Sequence, residues 1–181
     1  MKYTKEEEIM HFVFLAFKDL KRQKEDIPLA FHSIMVGNML KNINCDENTV
    51  YIGYLHDIIE DTPYDYQFLL NKYGKLIADS VLILSEDKNI IEYVPRKEKF
   101  IANISNANDN ILIVELADKL QNLISDYDEY LKKGKESLYT EANNYEELKW
   151  FYKKMQSIFN NRLKNNQLLT RYNEIVTEYF D

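Results

Sequence analysis

The chain has 181 residues, of which 45% are hydrophobic and 29% charged, a composition typical of a folded globular domain and not of a disordered chain. Four glycines and three prolines are too few for a turn-rich β-sandwich or β-barrel, so we expect an all-α protein. The 23 Lys and Arg against 30 Asp and Glu give a net charge of −7, which argues against binding to long nucleic acid.

The sequence also indicates where such a protein would work. Its single cysteine, Cys45, cannot form an internal disulfide. No secretory signal is visible at the N-terminus, and no uncharged apolar run reaches the roughly 18 residues of a membrane span. We therefore expect a cytoplasmic protein with no membrane partner.

The first half of the chain shows helical periodicity. Apolar residues recurring every three or four positions predict an amphipathic helix over about residues 5–23. Pro28 is suited to open a second helix that runs to about Leu40. Asp46 has the side chain of an N-cap, and the third helix that it starts is expected to end near Thr62.

The middle of the chain predicts two more helices and two connections. A helix from Tyr66 should end at Gly74, a residue that tolerates the left-handed backbone of a helix stop. Residues 76–84 are apolar enough for a strand, but a lone strand has no pairing partner here, so we predict a helix. We expect irregular structure at 86–95 and at 103–110.

The most apolar predicted helix covers residue 111 to about residue 124, with Asp109 or Asn110 as its cap. Because it is apolar on nearly all sides, we expect it at the centre of the fold. Any polar residue on this helix is therefore informative.

The remaining sequence predicts helices but carries no motif. Gly134 is followed by a strongly polar stretch and then by two periodic segments, at about 142–164 and 167–180. Taken together, the predicted elements indicate one all-α domain, a helical bundle over residues 1–181 whose polar motifs lie within about 5–126.

Three polar features lie on the predicted helices: His32 on the second, the run from His56 to Asp61 on the third, and Asp118 with Asn122 on the central one. Two imidazoles and two carboxylates form a ligand set suited to a divalent cation that keeps water positions open. A buried carboxylate would cost several kcal/mol unless a cation or strong donors met it. On a continuous helix, Glu60 would stack over His56 one turn later.

Each feature also has an ordinary structural explanation. Asp118 could pair with a lysine or arginine, His56 could be a hydrogen-bonded core residue, and Glu60 with Asp61 could be a solvated helix end. Any one of them alone would favour that explanation. Their combination favours the metal site.

The order His32, His56-Asp57, Asp118 resembles the H…HD…D pattern of the HD-domain phosphohydrolases, an all-α superfamily of metal-dependent enzymes. The flanking sequences LHDIIEDT and ELADKLQNL, with Tyr73-Gly74 between them, resemble the hydrolase domain of the RelA/SpoT family, and the compact chain resembles a small alarmone hydrolase.

This resemblance implies an activity and assigns roles. Such enzymes bind one metal, usually manganese although another divalent ion would serve, and remove pyrophosphate from the 3′ position of guanosine tetra- or pentaphosphate. The carboxylates after the HD pair handle the attacking water and its proton, in an order that stays open. The implied metal ligands are His32, His56, Asp57 and Asp118, the implied catalytic pair is Glu60 and Asp61, and the implied nucleotide contact is Asn122.

The sequence departs from the family pattern near the expected substrate. Ser33 and Leu29 stand where relatives commonly have Pro and Tyr, and Lys119 and Gln121 where they have Arg and His. None of these positions is a metal ligand. Two alternatives therefore stay open: a nucleotidase acting on another small nucleotide, and a non-catalytic nucleotide-binding relative.

A polyanionic substrate approaching an acidic protein needs local positive charge. Lys24 and Arg96 are our candidates for phosphate contacts, although basic residues near helix ends more often complement the helix dipole and keep the surface solvated.

Overall fold

The computed structural model describes residues 2–22, 26–134 and 145–180. Within these ranges it contains ten α-helices and no β-strand, which confirms the all-α prediction. In chain order the helices are α1 (Lys5–Ala16), α2 (Ala30–Asn42), α3 (Glu47–Leu55), α4 (Ile58–Asp61), α5 (Tyr66–Tyr73), α6 (Lys75–Leu84), α7 (Tyr93–Asn106), α8 (Asp109–Lys133), α9 (Tyr145–Arg162) and α10 (Gln167–Phe180).

The chain forms two compact units, Met1–Ser85 with α1 to α6 and Glu86–Asp181 with α7 to α10. The single-domain boundaries stay a prediction. Across the described ranges, no helix combines the length and apolar composition needed to cross a bilayer. Large apolar or aromatic side chains are fully buried in both units: Phe17, Leu40, Tyr54, Ile58 and Leu69 in the first, and Ile104, Phe151, Phe159 and Tyr172 in the second.

α1 ends at Ala16, several residues short of the predicted end. Beyond it the chain turns back on itself. The N–H of Leu29 donates to the carbonyl of Leu20, and the N–H of Arg22 donates to that of Ile27, each at 2.9 Å. These bonds satisfy backbone groups that a longer helix would have paired internally, so α1 ends before the predicted residue.

The second helix starts later than its proline suggests. Pro28 pairs with Lys21 in an isolated antiparallel bridge, and α2 begins only at Ala30. The cap of the third helix is confirmed, since the Asp46 side chain accepts hydrogen bonds from the N–H groups of Asn48 and Thr49.

The predicted third helix is broken at the HD pair. α3 ends at Leu55 and α4 begins at Ile58, with Asp57 in the bridge region at φ −89° and ψ 0°. The carbonyl of Gly53, in the last turn of α3, accepts a hydrogen bond from Nδ1 of the His56 ring. The prediction of one continuous helix through His56 and Glu60 is therefore wrong.

Gly74 ends α5 as predicted, and Gly134 ends α8, a helix whose end was predicted near residue 124. Both have positive φ, at 90° and 81°, and the N–H of Gly74 donates to the carbonyl of Leu70 while that of Gly134 donates to Tyr130. The apolar segment at 76–84 is helical, as expected, and forms most of α6.

The Asn-rich segment at 103–110 is not a loop, because α7 runs through it to Asn106. Phe100 and Ile104 continue a buried face past the first asparagine, and Asn106 bonds back to the carbonyl of Ala102. The irregular connection predicted for 86–95 is also shorter than expected, since α7 starts at Tyr93, whose side chain is buried.

α8 is capped by Asn108 rather than by Asp109 or Asn110. The Asn108 Oδ1 accepts from the N–H of Ile111 at 3.0 Å. α8 then extends to Lys133, well past the predicted end. α9 and α10 agree with the predicted helices, and residues 142–144 lie outside the described part of the chain.

Candidate metal centre

Two glycines allow α2 and α3 to approach closely. A Cβ at Gly37 would lie 2.1 Å from the ring of Tyr54, and a Cβ at Gly53 would lie 2.4 Å from Leu40 Cδ1. Neither position accepts a side chain without displacement of its neighbour. Since glycine inside a helix costs about 1 kcal/mol relative to alanine, these two positions have a packing reason to be glycine.

The close crossing brings His32 of α2 next to His56. Their Nε2 atoms are 3.1 Å apart, and both residues are 3% exposed. The Nδ1 of His56 lies 2.8 Å from the Gly53 carbonyl. Because a carbonyl only accepts, Nδ1 carries the proton and Nε2 presents a lone pair. This is the tautomer and the backbone support that a metal-binding histidine needs.

Asp57 completes a His-His-Asp cluster within the first unit. Its Oδ1 lies 3.2 Å from His56 Nε2 and its Oδ2 lies 3.5 Å from His32 Nε2. Two ligand atoms at roughly 2.1 Å from a metal and at right angles to one another are about 3.0 Å apart. The spacing of the two imidazole nitrogens therefore fits a single divalent cation, and nitrogen with carboxylate is a donor set that manganese and its neighbours accept.

Glu60 and Asp61 occupy the short helix α4 directly after this cluster. Both are half-buried, and the N–H of Asp61 donates to the Asp57 carbonyl at 2.9 Å. A one-turn helix thus ties the predicted catalytic pair to a predicted ligand. Their catalytic roles stay a prediction.

Asp118 lies on α8 in the second unit and is 5% exposed. Asn122 Nδ2 donates to its Oδ1 at 2.7 Å, and Lys119 Nζ donates to its Oδ2 at 2.8 Å. The lysine contact is the salt bridge that the ordinary explanation required. Asp118 as a metal ligand and Asn122 as a nucleotide contact both stay predictions.

Arg96 already has structural partners. Its Nε donates to Glu86 Oε2 at 2.9 Å, and its Nη1 contacts the carbonyls of Ile90 and Ile91. Lys24 lies outside the described residues. The phosphate-binding role of both cations stays a prediction.

Sequence reasoning missed a buried charged cluster in the second unit, which we call the Glu86 cluster: Glu86, Arg96, Lys97, Glu115 and Lys119. Lys97 Nζ donates to Glu86 Oε1 at 2.5 Å, and Lys119 Nζ lies 3.5 Å from Glu115 Oε1. The signal was present, since Lys97 falls on the same buried face of α7 as Tyr93, Phe100 and Ile104.

Burial and charge act against each other in this cluster. Burial alone would raise the pKa of Glu86, but Lys97 and Lys119 lower it below its ordinary value. For Glu115 burial dominates and raises the pKa to about 8, despite Lys119. Burial would lower the pKa of Lys119, yet the carboxylates around it, Asp118 first, raise it above the ordinary lysine value.

The family model of the HD domain matches residues 29–123, more than half of the chain. The chain belongs to the HD-domain family. The match begins at the start of α2 and includes His32, His56, Asp57 and Asp118.

Relatives and solved structures agree with that assignment. A probable guanosine-3′,5′-bis(diphosphate) 3′-pyrophosphohydrolase of Mycoplasma pneumoniae is 37% identical over 54% of this chain and 15% of its own length. The Drosophila melanogaster enzyme MESH1, named for the same reaction, is 30% identical over 61% of this chain and 64% of its own length. The chain thus spans less than two thirds of either relative.

A solved metazoan ortholog of SpoT, described as hydrolysing ppGpp, has a TM-score of 0.78 to this chain at 21% identity, over 99% of this chain and 98% of the other. A Listeria monocytogenes protein has a TM-score of 0.72 at 24% identity, over 83% and 96%. These likenesses show that the fold is the HD fold.

Proposed function

We propose that this HD-family protein is a metal-dependent phosphohydrolase that removes the 3′-pyrophosphate of guanosine tetra- or pentaphosphate, giving GDP or GTP and pyrophosphate. The observation that carries the proposal is the convergence of His32, His56 and Asp57 on one point. The names of the relatives supply the substrate class.

The proposed ligands of a manganese ion are His32, His56, Asp57 and Asp118. When bound, such an ion lowers the pKa of a coordinated water and polarises a phosphoryl oxygen. The protein's part is to hold the imidazoles in the metal-binding tautomer, and the hydrogen bond between His56 and Gly53 supports this role.

Glu60 and Asp61 are proposed to move the protons. One carboxylate accepts the proton of the water that attacks the phosphorus bonded to the 3′ oxygen. The other supplies a proton to that 3′ oxygen as the bond between it and phosphorus breaks. Two neighbouring carboxylates titrate as a pair, so that one can stay protonated while the other is ionised. Their half-buried position on α4 is suited to both tasks.

Substrate binding is proposed to use Asn122 for the nucleotide and Lys24 and Arg96 for phosphate. In this structure Asn122 donates to Asp118 and Arg96 donates to Glu86, so each would add a substrate contact to an existing bond or exchange one for the other. We also propose that the protein acts in the cytoplasm, where guanosine nucleotides are made and used.

The test is incubation of the purified, manganese-loaded protein with guanosine tetraphosphate, with GDP and pyrophosphate as the products scored. Ordinary 5′-nucleotides form the comparison panel. Phosphate release from the panel but not from guanosine tetraphosphate would instead indicate an HD nucleotidase. Metal binding without turnover of any nucleotide would indicate a non-catalytic relative. Asp57→Ala is expected to lose the metal and the activity together.

A further inference from the structure

Lys119 is a buried cation that contacts the predicted metal ligand Asp118. Its Nζ donates to Asp118 Oδ2 at 2.8 Å, and its side chain is 12% exposed. Consecutive residues on a helix normally point about 100° apart and do not face each other. The bond therefore requires the lysine side chain to fold back toward its neighbour, and something must hold it there.

Two aromatic rings from different helices lie against this ammonium group. Nζ is 5.5 Å from the ring centre of Phe100 on α7 and 5.8 Å from that of Phe151 on α9. Both distances fall within the range of about 6 Å at which a cation is attracted to a ring face. α9, which carries no motif of its own, thus contributes a side chain that holds Lys119.

Both oxygens of the Asp118 carboxylate have a donor within its own helix. Asn122 holds Oδ1 and Lys119 holds Oδ2, from one turn later and from the next residue respectively. Such a pair of bonds restricts the carboxylate to one rotamer. It also offsets the desolvation of a charge that is 5% exposed.

We propose that Lys119 is a positioning residue for the metal centre: clamped by Phe100 and Phe151, it holds the Asp118 carboxylate in the orientation that binds the metal. The proposal rests on the proposed function, in which Asp118 is a metal ligand. It gives α9 a part in metal binding through Phe151.

Two physical effects oppose each other at this position. An ammonium group beside a metal ligand repels a divalent cation, so its removal could tighten metal binding. An ordered outer partner of a ligand strengthens binding, and its loss typically costs 10-fold to 100-fold in metal affinity or activity. We expect positioning to dominate, because Lys119 is bonded directly to the Asp118 carboxylate, whose negative charge offsets that of the ammonium group.

The experiment measures Mn²⁺ binding to the full chain by calorimetry and by the EPR signal of free Mn²⁺, without nucleotide. Lys119→Met, which keeps the side-chain length but removes the charge, is expected to bind Mn²⁺ about tenfold more weakly. Lys119→Arg keeps the cation and is expected to restore most of the loss. The matched control is Lys97→Met. Lys97 is buried against the same Phe151 ring, but its ammonium group donates to Glu86, so we expect unchanged Mn²⁺ affinity.

A second pair of variants keeps the test available if Lys119→Met does not fold. Phe151→Leu removes one ring from Lys119 and is expected to weaken Mn²⁺ binding about threefold, the size of a modest cation–π contact. Phe159→Leu is the control, since this residue is buried on the same helix but packs against Tyr172. It is expected to lose stability and to keep its Mn²⁺ affinity.

The outcomes separate this inference from the proposed function. If the unmodified protein binds Mn²⁺ and cleaves guanosine tetraphosphate while Lys119→Met binds Mn²⁺ as tightly or more tightly, positioning by Lys119 is overturned and the function stands. If the unmodified protein binds Mn²⁺ without cleaving guanosine tetraphosphate, and Lys119→Met binds weakly, the positioning role stands and the substrate assignment falls. No Mn²⁺ binding by the unmodified protein overturns both.

Discussion

The two units of the chain hold their functional side chains by different means. In the first unit, close backbone packing at Gly37 and Gly53 brings His32 and His56 together, and a backbone carbonyl sets the tautomer of His56. In the second unit, the Asp118 carboxylate is held by Asn122 and by Lys119 of the Glu86 cluster. The first unit should therefore be sensitive to added volume, and the second to lost charge.

The largest expected effect is on turnover and lies in the first unit. Glu60→Gln removes the proton acceptor or donor while keeping the size of the side chain. Loss of general acid or base catalysis typically costs 10²-fold to 10⁴-fold in rate. We expect kcat for guanosine tetraphosphate to fall by about that factor, with Mn²⁺ affinity unchanged by calorimetry.

The control for Glu60→Gln is Glu8→Gln, at an exposed position on α1 of the same unit. It should leave both quantities unchanged. A fully active Glu60→Gln enzyme would transfer the proton role to Asp61 alone, and the double variant Glu60→Gln/Asp61→Asn would then be the one that loses turnover.

The next largest effect is on the stability of the second unit. Glu86→Leu leaves Lys97 and Arg96 without the carboxylate that they share, and breaking a buried ion pair on one side typically costs about 3–5 kcal/mol. Denaturant unfolding should show a loss of that size. The double variant Glu86→Leu/Lys97→Met should recover part of it, because the buried lysine charge is then removed as well.

Glu86 also has a pH signature. Burial would raise its pKa, but Lys97 and Lys119 lower it below its ordinary value of 4.5, so the folded state favours the ionised form. The unfolded state then binds more protons, and this contribution to stability is present above about pH 4.5 and is lost as the pH falls through the folded pKa. The melting temperature should fall more steeply between pH 7 and pH 3 for the unmodified protein than for Glu86→Gln.

Helix boundaries were predictable where the deciding signal is local. Asp46 begins a helix and Gly74 ends one as expected, because a side-chain cap or a positive φ acts within a few residues. The Asn-rich segment was misread because Phe100 and Ile104 bury one face of α7, and burial outweighs the loop preference of asparagine.

The residue types of the candidate site could be predicted from the sequence, but the contacts that hold those side chains in place could not. The ligand pattern could be read from sequence order, but the orientation of the His56 ring depends on its bond to the Gly53 carbonyl. The clamp on Lys119 depends on Phe151, 32 positions later in the chain. Contacts of this kind are set by helix packing, for which a single sequence carries no local signal.

A smaller effect tests the packing rule of the first unit. Gly37→Ala places a Cβ where the Tyr54 ring lies, and overpacking of this kind typically costs about 1–3 kcal/mol. The double variant Gly37→Ala/Tyr54→Leu removes the ring and should cost less than the sum of the two single changes. Additive losses would show that the ring moves aside freely and that close packing does not hold the histidine pair.

The smallest expected effect concerns the N-cap of α8, and it tests whether the cap or the charged neighbour positions Asp118. Asn108→Ala removes the cap bond to Ile111 N–H and should cost about 1 kcal/mol in unfolding free energy, while Asn108→Ser should restore most of it. Mn²⁺ affinity should not change, because Asp118 lies ten residues along the helix, where its backbone bonds no longer depend on the cap. If Asn108→Ala weakened Mn²⁺ binding as much as Lys119→Met, the carboxylate would be positioned by the helix as a whole and not by its charged neighbour.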